Sequence, residues 1–276
     1  MLKHLVSAEW LRERMNDGNI RILDCRFELG KPNAGFDAYL ADHIPNAVYV
    51  DLEKDMSGQK SLHGGRHPLP SLQEFASKVS AVGIDHTVTV VAYDDQGGAM
   101  ASRLAWLLSY LGHKNVFVLN TSYSSWKDSG FPVTDEIQEF SSANFETEIN
   151  EQMLCTMEEV REAIKKDNVV LLDSRENIRY LGIEELIDKE AGHIPTAKNA
   201  FWKEGVSNNG AWLSTEEQEE RFKMIERGKE VIVYCGSGVT ACPNVLTLQS
   251  LRYENVRLYV GSWSDWISYP ENQIEK

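Results

Sequence analysis

Short runs of aliphatic and β-branched residues recur along the chain and alternate with stretches patterned as helices. Val88 to Tyr93, Val116 to Leu119, Asn168 to Leu172, Val231 to Tyr234 and Val256 to Val260 are apolar at nearly every position, which predicts strands buried on both faces. Ser71, Thr156 and Ser214 each stand three residues before a glutamate, the signature of a capped helix N-terminus. They predict helices opening at Ser71, running from Thr156 to about Lys166, and running from Ser214 to about Arg227. Ala99 to Leu111 and a stretch from about Thr240 to Arg252 read as further helices. Doubly buried strands alternating with amphipathic helices predict an α/β fold, with a central, mainly parallel sheet flanked by helices.

The pattern occurs twice, and local motifs repeat with it. Asp24-Cys25-Arg26 matches Asp173-Ser174-Arg175, His43-Ile44-Pro45 matches His193-Ile194-Pro195, and Ser122-Tyr123-Ser124-Ser125-Trp126 matches Ser262-Trp263-Ser264-Asp265-Trp266, in the same order. Three collinear matches predict a duplicated domain. Thr134 to Gln152 is acidic, polar and weakly periodic, which predicts an N-terminal domain over 1–135, a linker over 136–152 and a C-terminal domain over 153–276. The duplicated histidines read as fold-maintaining residues, Trp126 and Trp266 as core anchors, and Arg175 as an ion-pair partner of Asp173.

Composition narrows the partners. The chain has 276 residues, 42% hydrophobic and 25% charged, and a net charge of −14, so nucleic acid and anionic membranes are disfavoured. An anionic substrate needs a locally basic or amide-lined pocket. Four cysteines (Cys25, Cys155, Cys235 and Cys242) form no close-set framework and no paired metal-ligand spacing, so neither a disulfide scaffold nor a metal is expected. The polar residues Glu9, Arg12, Glu13 and Arg14 follow the short apolar start, and no apolar run nears the ~18 residues of a membrane span. A reducing, cytoplasmic setting is expected, with no cofactor.

The chemistry concentrates in Cys235-Gly236-Ser237-Gly238-Val239-Thr240, between the strand ending at Tyr234 and the following helix. Two glycines let successive N–H groups turn inward, and the helix N-terminus adds partial positive charge. Both favour a thiolate, so Cys235 is the candidate nucleophile. Cys242, farther along, reads as a packed helix residue. Ser237 can hydrogen-bond a donor or pass a proton if a base orients it. By order of elements, Tyr93-Asp94 occupies the position of Tyr234-Cys235 in the first half, where Asp94 and Asp95 are expected to repel an anion. Only the second half is then nucleophilic, and the interdomain cleft is the expected pocket.

With these features the chain resembles the two-domain rhodanese sulfurtransferases: duplicated α/β halves, two His-Ile-Pro segments and a loop cysteine in the second copy alone. The resemblance implies ping-pong transfer of a sulfane sulfur from a small anionic donor, through a Cys235 persulfide, to cyanide or a thiol acceptor such as a small thiol or a thioredoxin-like protein. The neutral loop is similar to that of the mercaptopyruvate branch; thiosulfate-preferring members usually carry basic residues at the positions of Gly236 and Ser237. Gly236, Gly238, Val239 and Thr240 are the implied substrate-binding loop positions. Arg179 matches the arginine that holds the donor's acidic group, and a bidentate guanidinium suits that anion. A second arginine of the branch has no match between Ile183 and Gly192, where Lys189 is the sole base. The branch further implies a Ser237–His67–Asp51 relay, with His63 a competing histidine. Alternatives are thiosulfate:cyanide transfer and a persulfide carrier without turnover. A cysteine phosphatase is disfavoured because Ala241 and Cys242 follow Thr240 where a phosphate clamp needs arginine.

Overall fold

The computed structural model describes residues 1–276. The first half runs β1 (Leu5–Val6), α1 (Ala8–Arg14), β2 (Ile20–Asp24), α2 (Ala34–Ala41), β3 (Ala47–Tyr49), α3 (Leu72–Ala81), β4 (Thr89–Tyr93), α4 (Ala99–Tyr110), β5 (Val116–Leu119) and α5 (Tyr123–Asp128). The second half runs β6 (Leu154–Cys155), α6 (Met157–Ala163), β7 (Val169–Asp173), α7 (Asn177–Tyr180), β8 (Lys198–Asn199), α8 (Thr215–Arg221), β9 (Glu230–Tyr234), α9 (Cys242–Ser250), β10 (Val256–Tyr259) and α10 (Ser262–Trp266). Each half builds a five-stranded sheet, ordered β1-β5-β4-β2-β3 and β6-β10-β9-β7-β8. Every pairing is parallel. The two halves therefore share one topology, as the repeated motifs predict.

The helix starts follow the sequence closely. Thr156 and Ser214 form reciprocal capping boxes with Glu159 and Glu217, and Ser71 accepts from the Glu74 N–H. The ends differ. α8 stops at Arg221 instead of near Arg227, because Phe222 and Ile225 turn into the core and the Tyr253 hydroxyl donates to both of their carbonyls, each at 3.2 Å. Those carbonyls are thereby drawn out of a helical ladder. α6 likewise ends at Ala163, and α9 begins at Cys242 rather than near Thr240. Residues 135–150 hold no helix or strand but are tied to the first half: the Ala143 N–H donates to Ser80 O, and the Glu148 N–H to Leu111 O.

The halves share a core. The largest buried cluster, 49 residues, passes from one sheet through α4 and α9 to the other, while clusters of 12 residues fill each outer face. Leu104, Leu107 and Leu108 of α4 and Val245, Leu246 and Leu248 of α9 are buried in it. Each such side chain stabilises the folded state by about 1.5–3 kcal/mol relative to exposure. Trp126 and Trp266 anchor the outer clusters, their indole N–H groups donating to Pro132 O and Gln273 O at 2.9 Å. A buried ion pair closes each strand corner: Arg26 with Asp24 at 2.7 Å and Arg175 with Asp173 at 2.6 Å. His43 and His193 sit at matching places, each ring Nδ1 against a backbone carbonyl (Tyr39 O and Tyr180 O). No helix is long and apolar enough to cross a membrane.

The turn after β4 corrects one expectation. Asp94 does not face the pocket as a repelling charge. It turns inward, fully buried, and its carboxylate accepts the N–H groups of Gln96, Gly98, Met100 and Ala101 at 2.8–2.9 Å. Asp95 is occupied by Ser124. The first half thus contains an amide nest filled by its own side chain. Replacing Asp94 with Ala orphans four donors, and we expect urea unfolding to show a loss of about 2–4 kcal/mol, against near-neutral replacement of exposed Asp128.

Candidate active site

The equivalent turn follows β9, the central strand of the second sheet, at its carboxyl end, where open α/β sheets place their ligands. Cys235 is its first residue. Its first two carbonyls are satisfied by α10: the Trp263 N–H donates to Cys235 O and the Ser264 N–H to Gly236 O, both at 3.0 Å. The N–H groups of Gly236, Ser237, Gly238, Val239, Thr240 and Ala241 donate to no other group of the protein. N–H groups without partners in a largely buried turn are rare, and six in succession offer the donors that an anion would need. Gly238 cannot be replaced, because its φ is +73° and a Cβ would stand 2.2 Å from Val260 O. The expected loop positions are therefore assembled around Cys235.

The first half supplies the other wall. Its 63–67 segment is pinned to α10: the Gly64 N–H donates to Asp265 Oδ1 at 2.7 Å, the Arg66 N–H to Ser264 Oγ at 3.1 Å, and Gly65, at φ +80°, leaves no room for a Cβ beside Gly261 O. Pinning brings His67 Nδ1 to 2.8 Å from Ser237 Oγ. Burial, reinforced by Arg103 and Arg66, pushes His67 down to about 3, so the ring is neutral near pH 7 and Nδ1 can accept the Ser237 hydroxyl proton. His63 is excluded from this pair; it meets Ser268 Oγ at 2.7 Å and stacks on Tyr269.

Asp51 requires correction. It is buried, but its Oδ1 accepts the Glu53 and Lys54 N–H groups at 2.8 and 2.9 Å, and it makes no hydrogen bond to His67, whose Nε2 has no partner. The residue caps the turn that follows it, so the structure contains a Ser237–His67 pair and not a three-membered relay. Cys242, the first residue of α9, is packed and held as a thiol, burial pushing it up to about 12.

Arg179 lies at the loop, but already paired. Its Nε meets Glu185 Oε2 at 2.9 Å and its Nη2 meets Asp188 Oδ2 at 3.0 Å. Burial raises Glu185, yet Arg179 and the Ile187 and Asp188 N–H groups outweigh burial and hold it below the usual carboxylate range. Arg66, from the first half, meets the other oxygen of Asp188. Beside these charges, Phe201, Trp202, Leu186 and Ile187 join Arg179 and Thr240 in lining a cleft of about 280 Å³.

Two site residues escape sequence reasoning. Arg66 was concealed beside His67, although two glycines before it mark a close approach. Arg103 is the lone charge in α4, fully buried with no carboxylate partner. Its Nη1 donates to Gly238 O at 3.2 Å and its Nη2 to Met56 O and His67 O at 3.4 Å, tying the cysteine loop to the histidine segment. Cys242 and Cys235 are the groups whose negative charge would act on it. An uncompensated buried cation costs several kcal/mol, so Arg103 makes the space behind the loop favourable to an anion. Arg103→Met is expected to slow alkylation of Cys235 by neutral iodoacetamide at pH 7 by about fivefold or more, with Arg103→Lys intermediate, as read by peptide mass mapping alongside an unfolding curve.

Residues 7–129 and 156–269 match the rhodanese-like domain family. The chain is 37% identical to a Pseudomonas aeruginosa protein named "Probable 3-mercaptopyruvate sulfurtransferase", across 98% of this chain and 97% of that one. It is 32% identical to thiosulfate sulfurtransferase of Bos taurus, across 96% and 92%. The crystal structure of the 3-mercaptopyruvate sulfotransferase SseA from Escherichia coli superposes with a TM-score of 0.84 at 30% identity, covering 95% of this chain and 99% of that one. With two matched domains, one topology in both halves and a single cysteine at an open amide nest, this chain belongs to the rhodanese family of sulfurtransferases.

Proposed function

We propose that Cys235 takes a sulfane sulfur from a small anionic donor, holds it as a persulfide, and gives it to a thiol acceptor. One observation carries this reading. Asp94 and Cys235 begin equivalent turns, and the Asp94 carboxylate fills its nest with an oxygen two bonds from Cβ. A cysteine sulfur is only one bond from Cβ and leaves the second nest short of an occupant. A persulfide, Cβ–Sγ–Sδ, restores the reach and the negative charge of the aspartate. The nest is therefore matched to the intermediate, whose charge fixed N–H groups stabilise without reorganisation.

With 3-mercaptopyruvate, the Cys235 thiolate attacks the donor sulfur. The C–S bond breaks, its electron pair leaves on the pyruvate enolate, and the proton of the donor's own thiol passes through the Ser237–His67 pair to the enolate carbon, leaving the outer persulfide sulfur anionic. With thiosulfate, the S–S bond breaks and sulfite leaves with the pair, requiring no proton. In the second half-reaction an acceptor thiolate attacks the outer sulfur, and the electron pair of the persulfide bond returns to Cys235. The neutral loop and the hydroxyl–imidazole pair support mercaptopyruvate as the preferred donor, and Arg179 with Arg66 supplies cations for its carboxylate. Arg66 fills the need for a second arginine that segment 183–192 does not meet. In this reading 153–276 carries the nucleophile, 1–135 supplies the second wall and 136–152 connects them. A small thiol or a thioredoxin-like protein fits as acceptor.

Donor treatment is expected to add about 32 Da, one sulfur, to the wild-type protein and none to Cys235→Ser, by intact mass spectrometry. Absence of the adduct in the wild type refutes the function. Ser237→Ala and His67→Gln are each expected to lower kcat with mercaptopyruvate by about 100-fold, but with thiosulfate by less than about fivefold, because only the first leaving group needs a proton.

A further inference from the structure

A carboxylate of the chain itself stands beside the Cys235 loop. The Asp188 side chain is 4% exposed and lies between two guanidinium groups. Oδ1 meets Arg66 of the first half, and Oδ2 meets Arg179 Nη2 at 3.0 Å. The cluster sits directly on the loop: a Cβ at Gly236 would lie 2.7 Å from Arg66 Nη2 and 3.7 Å from both Arg179 Nη2 and Asp188 Oδ2. Cys235, next in sequence, is only 1% exposed. The Arg66–Asp188 link thus spans the two halves directly beside this buried residue.

We propose that Asp188 occupies the anion subsite of the catalytic loop as an internal stand-in for the donor's acidic group, and that a donor binds by displacing it from Arg66 and Arg179. Asp188 is then a specificity-determining residue that sets donor affinity. This rests on the sulfur-transfer reading of Cys235. Several features favour displacement over a purely structural tie. Glu185 already holds the turn, accepting the Ile187 and Asp188 N–H groups and Arg179. The Asp188 carboxylate accepts from the two arginines and from no backbone N–H. The side chains flanking it are mostly solvent-facing, Ile183 and Leu186 being 70% and 84% exposed, and the segment is bracketed by Gly182 and Gly192, both with left-handed φ, while its ties to the fold apart from Asp188 run through Glu185 and backbone carbonyls. Exchanging one carboxylate for a donor's carboxylate leaves the charge balance of the pocket unchanged. Burial also pushes Asp188 upward, against the pull of Arg66, so its charged form is not at ease there.

The test uses Asp188→Asn and Asp188→Ala, with exposed Glu190→Gln as the control for general charge. Steady-state kinetics with mercaptopyruvate and thiosulfate are paired with mass-mapped alkylation of Cys235 by anionic iodoacetate and neutral iodoacetamide. Both Asp188 variants are expected to lower donor KM about fivefold or more with kcat within about twofold, and to raise the iodoacetate-to-iodoacetamide rate ratio by a similar factor, while Glu190→Gln changes neither by more than about twofold. A KM that rises or stays level, together with an unchanged ratio, overturns the proposal and makes Asp188 a structural tie. A raised ratio in a protein that takes sulfur from neither donor supports the anion subsite and overturns the sulfur-transfer reading instead.

Discussion

Everything in this site depends on six consecutive N–H groups, those of Gly236 to Ala241, that find no acceptor in the protein. Such a turn is costly by itself, and the surrounding structure over-determines it. Three of its carbonyls are bound by the first turn of α10 and by Arg103, and Gly238 adopts a conformation that a side chain would forbid. The unsatisfied donors are then available to whatever anion stands at Cys235, sulfur or persulfide. Fixed dipoles of this kind stabilise developing charge without having to rearrange.

The duplicated halves show the same scaffold used in two ways. In the first, Asp94 completes the nest and the turn becomes a structural plug. In the second, a shorter side chain leaves it open. Among the differences between the two turns, the residue that opens each, Asp94 or Cys235, separates a half whose nest is filled by its own side chain from one whose N–H groups stay unpaired. The closed half still contributes chemistry by reaching across the shared core: Arg103 stands behind the loop, His67 beside it and Arg66 over it.

Charge at the pocket runs against the charge of the molecule. A chain with a net charge of −14 places two arginines at the mouth of the loop and a third behind it, then balances the outer pair with Glu185 and Asp188. The inner arginine has no carboxylate partner at all. This grading leaves positive charge deepest, where the sulfur sits, and near neutrality at the entrance. The outer pairs are largely shielded from water, so the cost of desolvating them offsets much of their mutual attraction.

Sequence by itself determined the parts that depend on near neighbours in the chain. Hydrophobic runs located the strands, capping pairs located the helix starts, repeated motifs disclosed the duplication, and a cysteine between a strand and a glycine turn pointed to the proposed nucleophile. Helix ends were less legible, because α8 stops where the distant Tyr253 captures two carbonyls. The Ser237–His67 pair was anticipated through family resemblance, whereas Asp51, drawn from the same resemblance, spends its carboxylate on its own turn. Only the tertiary structure decided that Asp94 faces inward, that Arg66 and Arg103 join the site, and that Asp188 stands between two arginines. The reason is physical: periodicity and capping act over a few residues, whereas the partner of a charge is fixed by loops from separate halves meeting across a common core.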